Sequence, residues 1–176
     1  KQGGGVVNVP AGHFRINGTL KIPGAVTLQG TFRTPPTDQR EARPKLDGSV
    51  LLAYAGRGSR DGAPFILLDG SMATVAGLMI AYPQWKQSDV PPVPYPPTIA
   101  ALTGIANNSV IDCCLLNSYE GLRFVNAARF TIRNVHGYPS FRGLYVDACY
   151  DIGRIENVHF WPFSVAYNQD EPYCKW

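Results

Sequence analysis

Side chains that suit acid–base chemistry recur at a constant interval in the second half of the chain. Arg123 and Tyr145 are separated by one interval of about 22 residues, the length of a typical solenoid repeat. Glu120 and Arg142 are separated by the same interval and lie slightly earlier. Removal of a proton next to a carboxyl group requires a base, and a cation that holds the carboxylate. The residue types therefore fit proton abstraction from an acidic substrate, with Tyr145 as base and Arg123 and Arg142 as the cations.

Two histidines form a second candidate group. His136 and His159 are separated by nearly the same interval, and we expect them to share one outward column of a repeating structure. Stacked imidazoles repel each other when both are protonated, so at least one should be neutral near pH 7. His159 is the alternative base to Tyr145. Packing at the surface or in a turn is the other interpretation, because two histidines alone supply too few ligands for a metal.

Aromatic side chains lie next to the histidines and in an earlier proline-rich segment. Tyr138 and Trp161 occupy equivalent positions of the repeat. Aromatic faces along a polar groove suit the apolar faces of sugar rings, and packing at the corners between strands is the alternative. The candidate substrate-binding residues are Tyr82, Trp85, Glu120, His136, Tyr138 and Trp161.

A repeat of about 22 residues must position these side chains. Its clearest copies are the segments 111–115, 132–136 and 155–159, which all begin with isoleucine and follow one another at nearly constant spacing. A fainter copy covers residues 75–79. A fixed period with short alternating strands is typical of a solenoid, in which each repeat buries its apolar face against its neighbours. The sequence therefore predicts an all-β solenoid.

Residues 3–30 carry a more specific pattern. Short β runs at 6–9, 13–16, 19–22 and 26–28 alternate with Pro-Ala-Gly, Asn-Gly and Pro-Gly turns. This stretch resembles the opening coils of the pectate-lyase superfamily, also called the pectin-lyase-like proteins. The resemblance implies a right-handed parallel β-helix, for which we expect about seven rungs of roughly 22 residues. The fold alone does not identify an activity, because lyases, hydrolases, phage tailspikes and non-enzymes share it.

We interpret residues 1–176 as a single β-helix domain from which loops 31–48 and 82–97 project. Members of the superfamily usually begin with an amphipathic helix that covers the core, and this chain lacks that pattern. An open last coil would expose core residues and unpaired backbone. We therefore expect a piece of a longer protein, or a unit that stacks end to end with copies of itself.

The repeat also assigns structural roles. Asn134 and Asn157 should form a two-step ladder at a sharp turn, with Cys113 and Gly77 in the equivalent positions. Cys113 would then be buried, and Cys114 would point to the opposite side of its strand. A neighbouring outward column of alternating charge would contain Asp112, Arg133 and Glu156.

The composition argues against nucleic acid and against a membrane-spanning segment. The net charge is +3 and the basic residues are scattered, so no basic tract typical of nucleic-acid binding is present. The sequence has no apolar run long enough for a membrane-spanning helix.

The four cysteines lack metal-binding spacing. We expect no metal site and reduced structural thiols, with one disulfide involving Cys149 or Cys174 as the alternative.

The resemblance implies an extracellular or cell-surface protein that binds an extended, acidic polysaccharide. In the superfamily, the third strand of each coil forms the polysaccharide groove, which here carries Arg123 and Tyr145. Hydrolysis by Asp147 and Glu120 is the second enzymatic hypothesis, and the hydrolase signatures of the family are absent. Calcium follows from the resemblance alone, because the aspartate cluster of pectate lyases is not recognisable. A non-catalytic, self-assembling β-helix protein is the alternative from a different class.

Overall fold

The computed structural model describes residues 3–32, 46–86 and 88–161, together with the backbone of two short strands at 163–165 and 173–175. In these ranges the chain forms β-strands joined by turns and contains no helix. Accordingly, the described part has no helix with the length and apolarity needed to cross a bilayer. Residues 33–45, which make up most of the predicted loop 31–48, lie outside the described residues.

The strands are short and follow one another closely along the chain. They are β1 (Gly5–Asn8), β2 (Gly12–Ile16), β3 (Leu20–Pro23), β4 (Val26–Gln29), β5 (Ser49–Ala53), β6 (Ile66–Asp69), β7 (Thr74–Ala76), β8 (Met79–Ala81), β9 (Pro97–Ala106), β10 (Ser109–Leu116), β11 (Glu120–Ala128), β12 (Thr131–Gly137), β13 (Arg142–Asp147), β14 (Arg154–Phe160), β15 (Phe163–Val165) and β16 (Tyr173–Lys175).

Two parallel sheets account for nearly all of these strands. The larger sheet has the order β1-β4-β7-β10-β8-β5-β2, with β12 on β10 and β14 on β12. The second sheet has the order β13-β11-β9-β6-β3. The described exception to parallel pairing is the antiparallel pair β15–β16. Successive passes of the chain thus stack in register, which confirms an all-β architecture of parallel strands and agrees with a solenoid.

The register differs by one position from the one inferred from the sequence. Val110, and not Ile111, faces Ile132, and Ile132 faces Ile155, which makes the spacing of the passes more even than the sequence match suggested. Val110 and Ile132 are fully buried in the core. Burial decides the register, because a slip of one position would turn every side chain of a strand to the opposite face.

A column of left-handed residues marks the sharp turn of each coil. Gly77, Asp112, Asn134 and Asn157 have φ values of 66°, 53°, 53° and 49°. The Asn134 Nδ2 donates to Asp112 Oδ1 at 2.8 Å, and the Asn157 Nδ2 donates to Asn134 Oδ1 at 2.8 Å. The predicted asparagine ladder is therefore confirmed. The placement of Cys113 in it was wrong, because Asp112 occupies that position.

The same shift changes the predicted charge column. Arg133 faces Glu156, as predicted, but the residue opposite Arg133 on β10 is Ile111, so Asp112 does not belong to this column. Cys113 is buried in the core, and Cys114 is buried in a separate apolar cluster, in agreement with their predicted opposite orientation. Cys113, Cys114 and Cys149 carry free thiols, and the side chain of Cys174 lies outside the described residues.

We predict that Asn134 stabilises the fold both by tolerating a positive φ and by bonding its neighbours. Asn134→Ala should lower the free energy of unfolding by about 1–3 kcal/mol, because alanine disfavours this φ and removes both amide contacts. Asn134→Gly should cost less, since glycine accepts the backbone conformation. Urea denaturation measures both changes. Unaltered stability of Asn134→Ala would contradict the structural role of this column.

Candidate functional site

A buried carboxylate holds two arginines at the start of strands β11 and β13. The Arg123 Nε and Nη2 donate to the two carboxylate oxygens of Glu120 at 2.8 and 2.6 Å. The Arg142 Nη2 donates to Glu120 Oε2 at 3.4 Å. Glu120 faces Arg142 in the sheet and its side chain is 1% exposed. One buried negative charge therefore fixes two partly exposed guanidinium groups.

Tyr145 completes this group, which we call the Glu120 cluster (Glu120, Arg123, Arg142 and Tyr145). Tyr145 faces Arg123 across the β11–β13 pair, as their spacing in the sequence predicted. The Arg142 guanidinium carbon lies 4.2 Å from the centre of the Tyr145 ring. The Tyr145 hydroxyl donates to Asp147 Oδ2 at 3.1 Å. A phenol, a cation and a carboxylate are thus adjacent on one partly exposed strand.

Buried hydrogen bonds fix the backbone beneath the cluster. The Thr98 hydroxyl donates to the Glu120 carbonyl oxygen at 2.9 Å, and the Tyr82 hydroxyl lies 2.8 Å from Thr98 Oγ1. Tyr82 is 2% exposed, and burial raises the pKa of its hydroxyl well above the usual range. Trp85 is also buried in the core. Tyr82 therefore supports the site from within, and the predicted contact of Tyr82 or Trp85 with a sugar does not fit their burial.

A loop and a ring that the sequence analysis did not select extend the cluster. The Arg60 guanidinium carbon lies 4.3 Å from the centre of the Phe141 ring, and that of Arg142 lies 5.1 Å from the same centre. Phe141 is 45% exposed and stacks on Tyr119 with a centroid distance of 5.0 Å. The sequence signal for Arg60 was weak, because its glycine-rich segment resembled an ordinary turn with exposed charges.

Neighbouring groups change the pKa of the Arg123 guanidinium. The hydrogen bonds to Glu120 raise the pKa of the Arg123 guanidinium; burial opposes this rise, and the negative charges of Glu120 and Asp61 add to it. The buried Nε of Arg142 has no hydrogen-bond partner among the described residues. A buried donor without a partner is costly, so this N–H opposes the stability that the Glu120 contacts provide.

A second group lies on the other sheet, on β12 and β14 and in the positions just after them. We call it the histidine cluster (His136, His159, Tyr138 and Trp161). His136 faces His159, as predicted, with ring centroids 6.2 Å apart. Burial lowers the pKa of His136, and the charge of His159 lowers it further. Tyr138 and Trp161 are also adjacent, at 6.2 Å. The neutral state expected for one imidazole therefore fits His136.

His159 is poorly placed to act as a base. The Trp161 Nε1 donates to His159 Nδ1 at 2.9 Å, so this nitrogen is the acceptor and the proton of the neutral ring lies on Nε2. The nitrogen that would accept a proton is already occupied. Of the two bases that the sequence suggested, Tyr145 is the one with an adjacent cation and a carboxylate.

Among the described residues, no group of three or more His, Cys, Asp or Glu side chains could hold a metal ion.

Comparison with protein-family models, curated proteins and solved structures returned no match for this chain. The relationship to the pectate-lyase superfamily, and the calcium that it would imply, therefore stay predictions from the residues at positions 3–30.

We predict that the Glu120 carboxylate makes a large contribution to the stability of the fold. Glu120→Gln should lower the free energy of unfolding by about 3–5 kcal/mol, because it leaves two guanidinium groups without their buried counter-charge. The matched control is Asp89→Asn, which removes the partner of Arg57 at a more exposed site and should cost less than about 1 kcal/mol. Urea denaturation measures both changes. Equal losses of unfolding free energy in the two variants would show that the buried carboxylate contributes no more to stability than the exposed one.

Proposed function

We propose that this protein is an extracellular or cell-surface, right-handed parallel β-helix of about seven rungs that binds an extended acidic polysaccharide and cleaves it by β-elimination. The substrate lies along the outer face of β11 and β13. The observation that carries the proposal is the contact of Arg142 with Tyr145, whose hydroxyl is bonded to Asp147.

The geometry of the Glu120 cluster suits proton abstraction next to a carboxylate. The Tyr145 hydroxyl passes its proton to Asp147, and the phenolate then removes the proton from the carbon beside the uronate carboxyl group. Arg142 stabilises the negative charge that develops on that carboxyl group. The electron pair forms the new double bond and expels the glycosidic oxygen on the next carbon, which takes up a proton from the Tyr145 hydroxyl. Asp147 then returns its proton to Tyr145, which restores both side chains.

Hydrolysis is less well supported by these contacts. It requires two available carboxyl groups on either side of the glycosidic bond. The Glu120 carboxylate is buried and accepts hydrogen bonds from Arg123 and Arg142, which leaves Asp147 as the exposed acid of the pair. Arg123 is likewise occupied by Glu120 through two nitrogens, so Arg142 is the better placed of the two arginines to hold a substrate carboxylate.

We predict that the purified chain releases unsaturated uronate ends from at least one acidic polysaccharide, detected by the ultraviolet absorbance of the product. Tyr145→Phe should lower kcat by about 100-fold or more, since the phenol is the base. Tyr150→Phe is the matched control, because this tyrosine is 68% exposed and lies outside the cluster. No product from any uronate polymer, or full activity of Tyr145→Phe, would refute the mechanism.

A non-catalytic, self-assembling protein is the second candidate, and the exposed apolar edges favour it. Ile155 on β14 is 48% exposed, although it continues the fully buried column of Val110 and Ile132. Val7 on β1 is 54% exposed and belongs to the same column through Leu28. In a head-to-tail stack, Val7 of one copy would cover Ile155 of the next.

For this second candidate, sedimentation velocity should show species that grow with protein concentration, and Ile155→Asp should restore the monomer because it places a charge in the buried column. Ile152→Asp is the control, since Ile152 is 62% exposed and lies outside the strands. A monomer at all concentrations would refute self-assembly and would leave the enzymatic proposal untouched.

A further inference from the structure

We propose that Arg60 and Arg142 together form a carboxylate-binding subsite over the exposed ring of Phe141, with Arg60 acting as a specificity-determining residue for uronate units. The inference rests on the proposed function and adds to it a residue from a distant loop. It would take the carboxylate of a uronate unit.

The loop that carries Arg60 is held in place at several points. The Arg57 Nη2 forms an ion pair with Asp89 Oδ2 at 2.9 Å, and the Gly58 N–H donates to the Pro94 carbonyl oxygen at 2.8 Å. Gly56 has a φ of 80°, and a Cβ atom there would approach Pro96 Cδ to 2.6 Å. Both the backbone conformation and the close contact therefore require glycine. The loop is packed against the proline-rich segment and cannot be regarded as a free surface turn.

This loop runs across the strands of the candidate site. Arg60 precedes β6, whereas Phe141 precedes β13, and the sheet order places β9 and β11 between them. Three strand spacings separate the two elements, which corresponds to roughly 14 Å. The contact of Arg60 with the Phe141 ring therefore brings this loop to the turn that precedes β13.

Two cations that contact one ring point to an anion. The guanidinium carbons of Arg60 and Arg142 lie 4.3 and 5.1 Å from the centre of the Phe141 ring. The ring attracts each cation, but the cations repel each other, and an anion between them would remove that repulsion. Arg142 keeps Glu120 as its protein partner through Nη2, so Arg60 is the guanidinium that an added anion would chiefly neutralise.

The shape of the site favours a sugar acid over a free ion. Phe141 is 45% exposed and rests on Tyr119, which packs against the core, so the ring has firm support. The Arg60 guanidinium lies over this supported ring, and a planar guanidinium suits a carboxylate. A uronate unit offers that carboxylate at a fixed place on its sugar ring. A neutral sugar would supply no negative charge near Arg60, and Arg142 would keep only Glu120 as its partner.

Isothermal titration of short oligogalacturonates and oligoglucuronates, compared with their carboxyl-reduced neutral counterparts, tests this subsite. Arg60→Gln should weaken binding of the acidic oligomers about tenfold and leave that of the neutral ones unchanged. Arg60→Lys should recover only part of the loss, because lysine lacks the planar fork. Arg154→Gln, an exposed arginine on β14, is the matched control and should bind as the unmodified protein does.

Wild-type affinity of Arg60→Gln for the acidic oligomers, together with a loss in Arg142→Gln, would overturn the Arg60 subsite and leave the proposed function intact. If no oligomer binds at all, the proposed function fails, and a second measurement still decides the subsite. Monomeric galacturonate should shift the arginine Nε–H signals of Arg60 and Arg142 in nitrogen-15 NMR spectra, and its methyl ester should not. The absence of a shift, or equal shifts with the ester, would overturn the subsite.

Discussion

The outer face of β11 and β13 depends on one buried negative charge. Glu120 is almost completely shielded from water, and it binds Arg123 through both carboxylate oxygens and Arg142 through one. A buried carboxylate is tolerated only when it is paired and hydrogen-bonded in this way. The pairing fixes the direction of both arginines, and the orientation of Arg142 in turn places a cation on Tyr145 and Phe141.

The parallel stacking of the strands brings the side chains of the Glu120 cluster together. Each pass of the chain returns to the same register, so residues one repeat apart become neighbours across one strand spacing. Left-handed residues at the turns, such as Asn134 and Asn157, keep the passes aligned and bond to one another. The long loops that interrupt the repeat are therefore free to carry further side chains, among them Arg60, over a rigid surface.

The sequence predicted the parts that depend on periodicity and missed those that depend on tertiary contacts. The pairs Arg123–Tyr145 and Glu120–Arg142 followed from the interval alone. Matching the repeat by Ile111 gave a register one position out on β10, because two adjacent apolar residues fit the pattern and burial of Val110 decides between them. The burial of Tyr82 and the approach of Arg60 to Phe141 were inaccessible, since loop paths leave no periodic signal.

The most direct test of the proposed polysaccharide binding is a crystal structure of the chain with a bound oligouronate. We expect the sugar chain to lie along β11 and β13, with one carboxylate on Arg142 and one ring carbon facing the Tyr145 hydroxyl. An oligomer seated instead on the histidine cluster, or crystals that take up no oligomer at millimolar concentration, would contradict it.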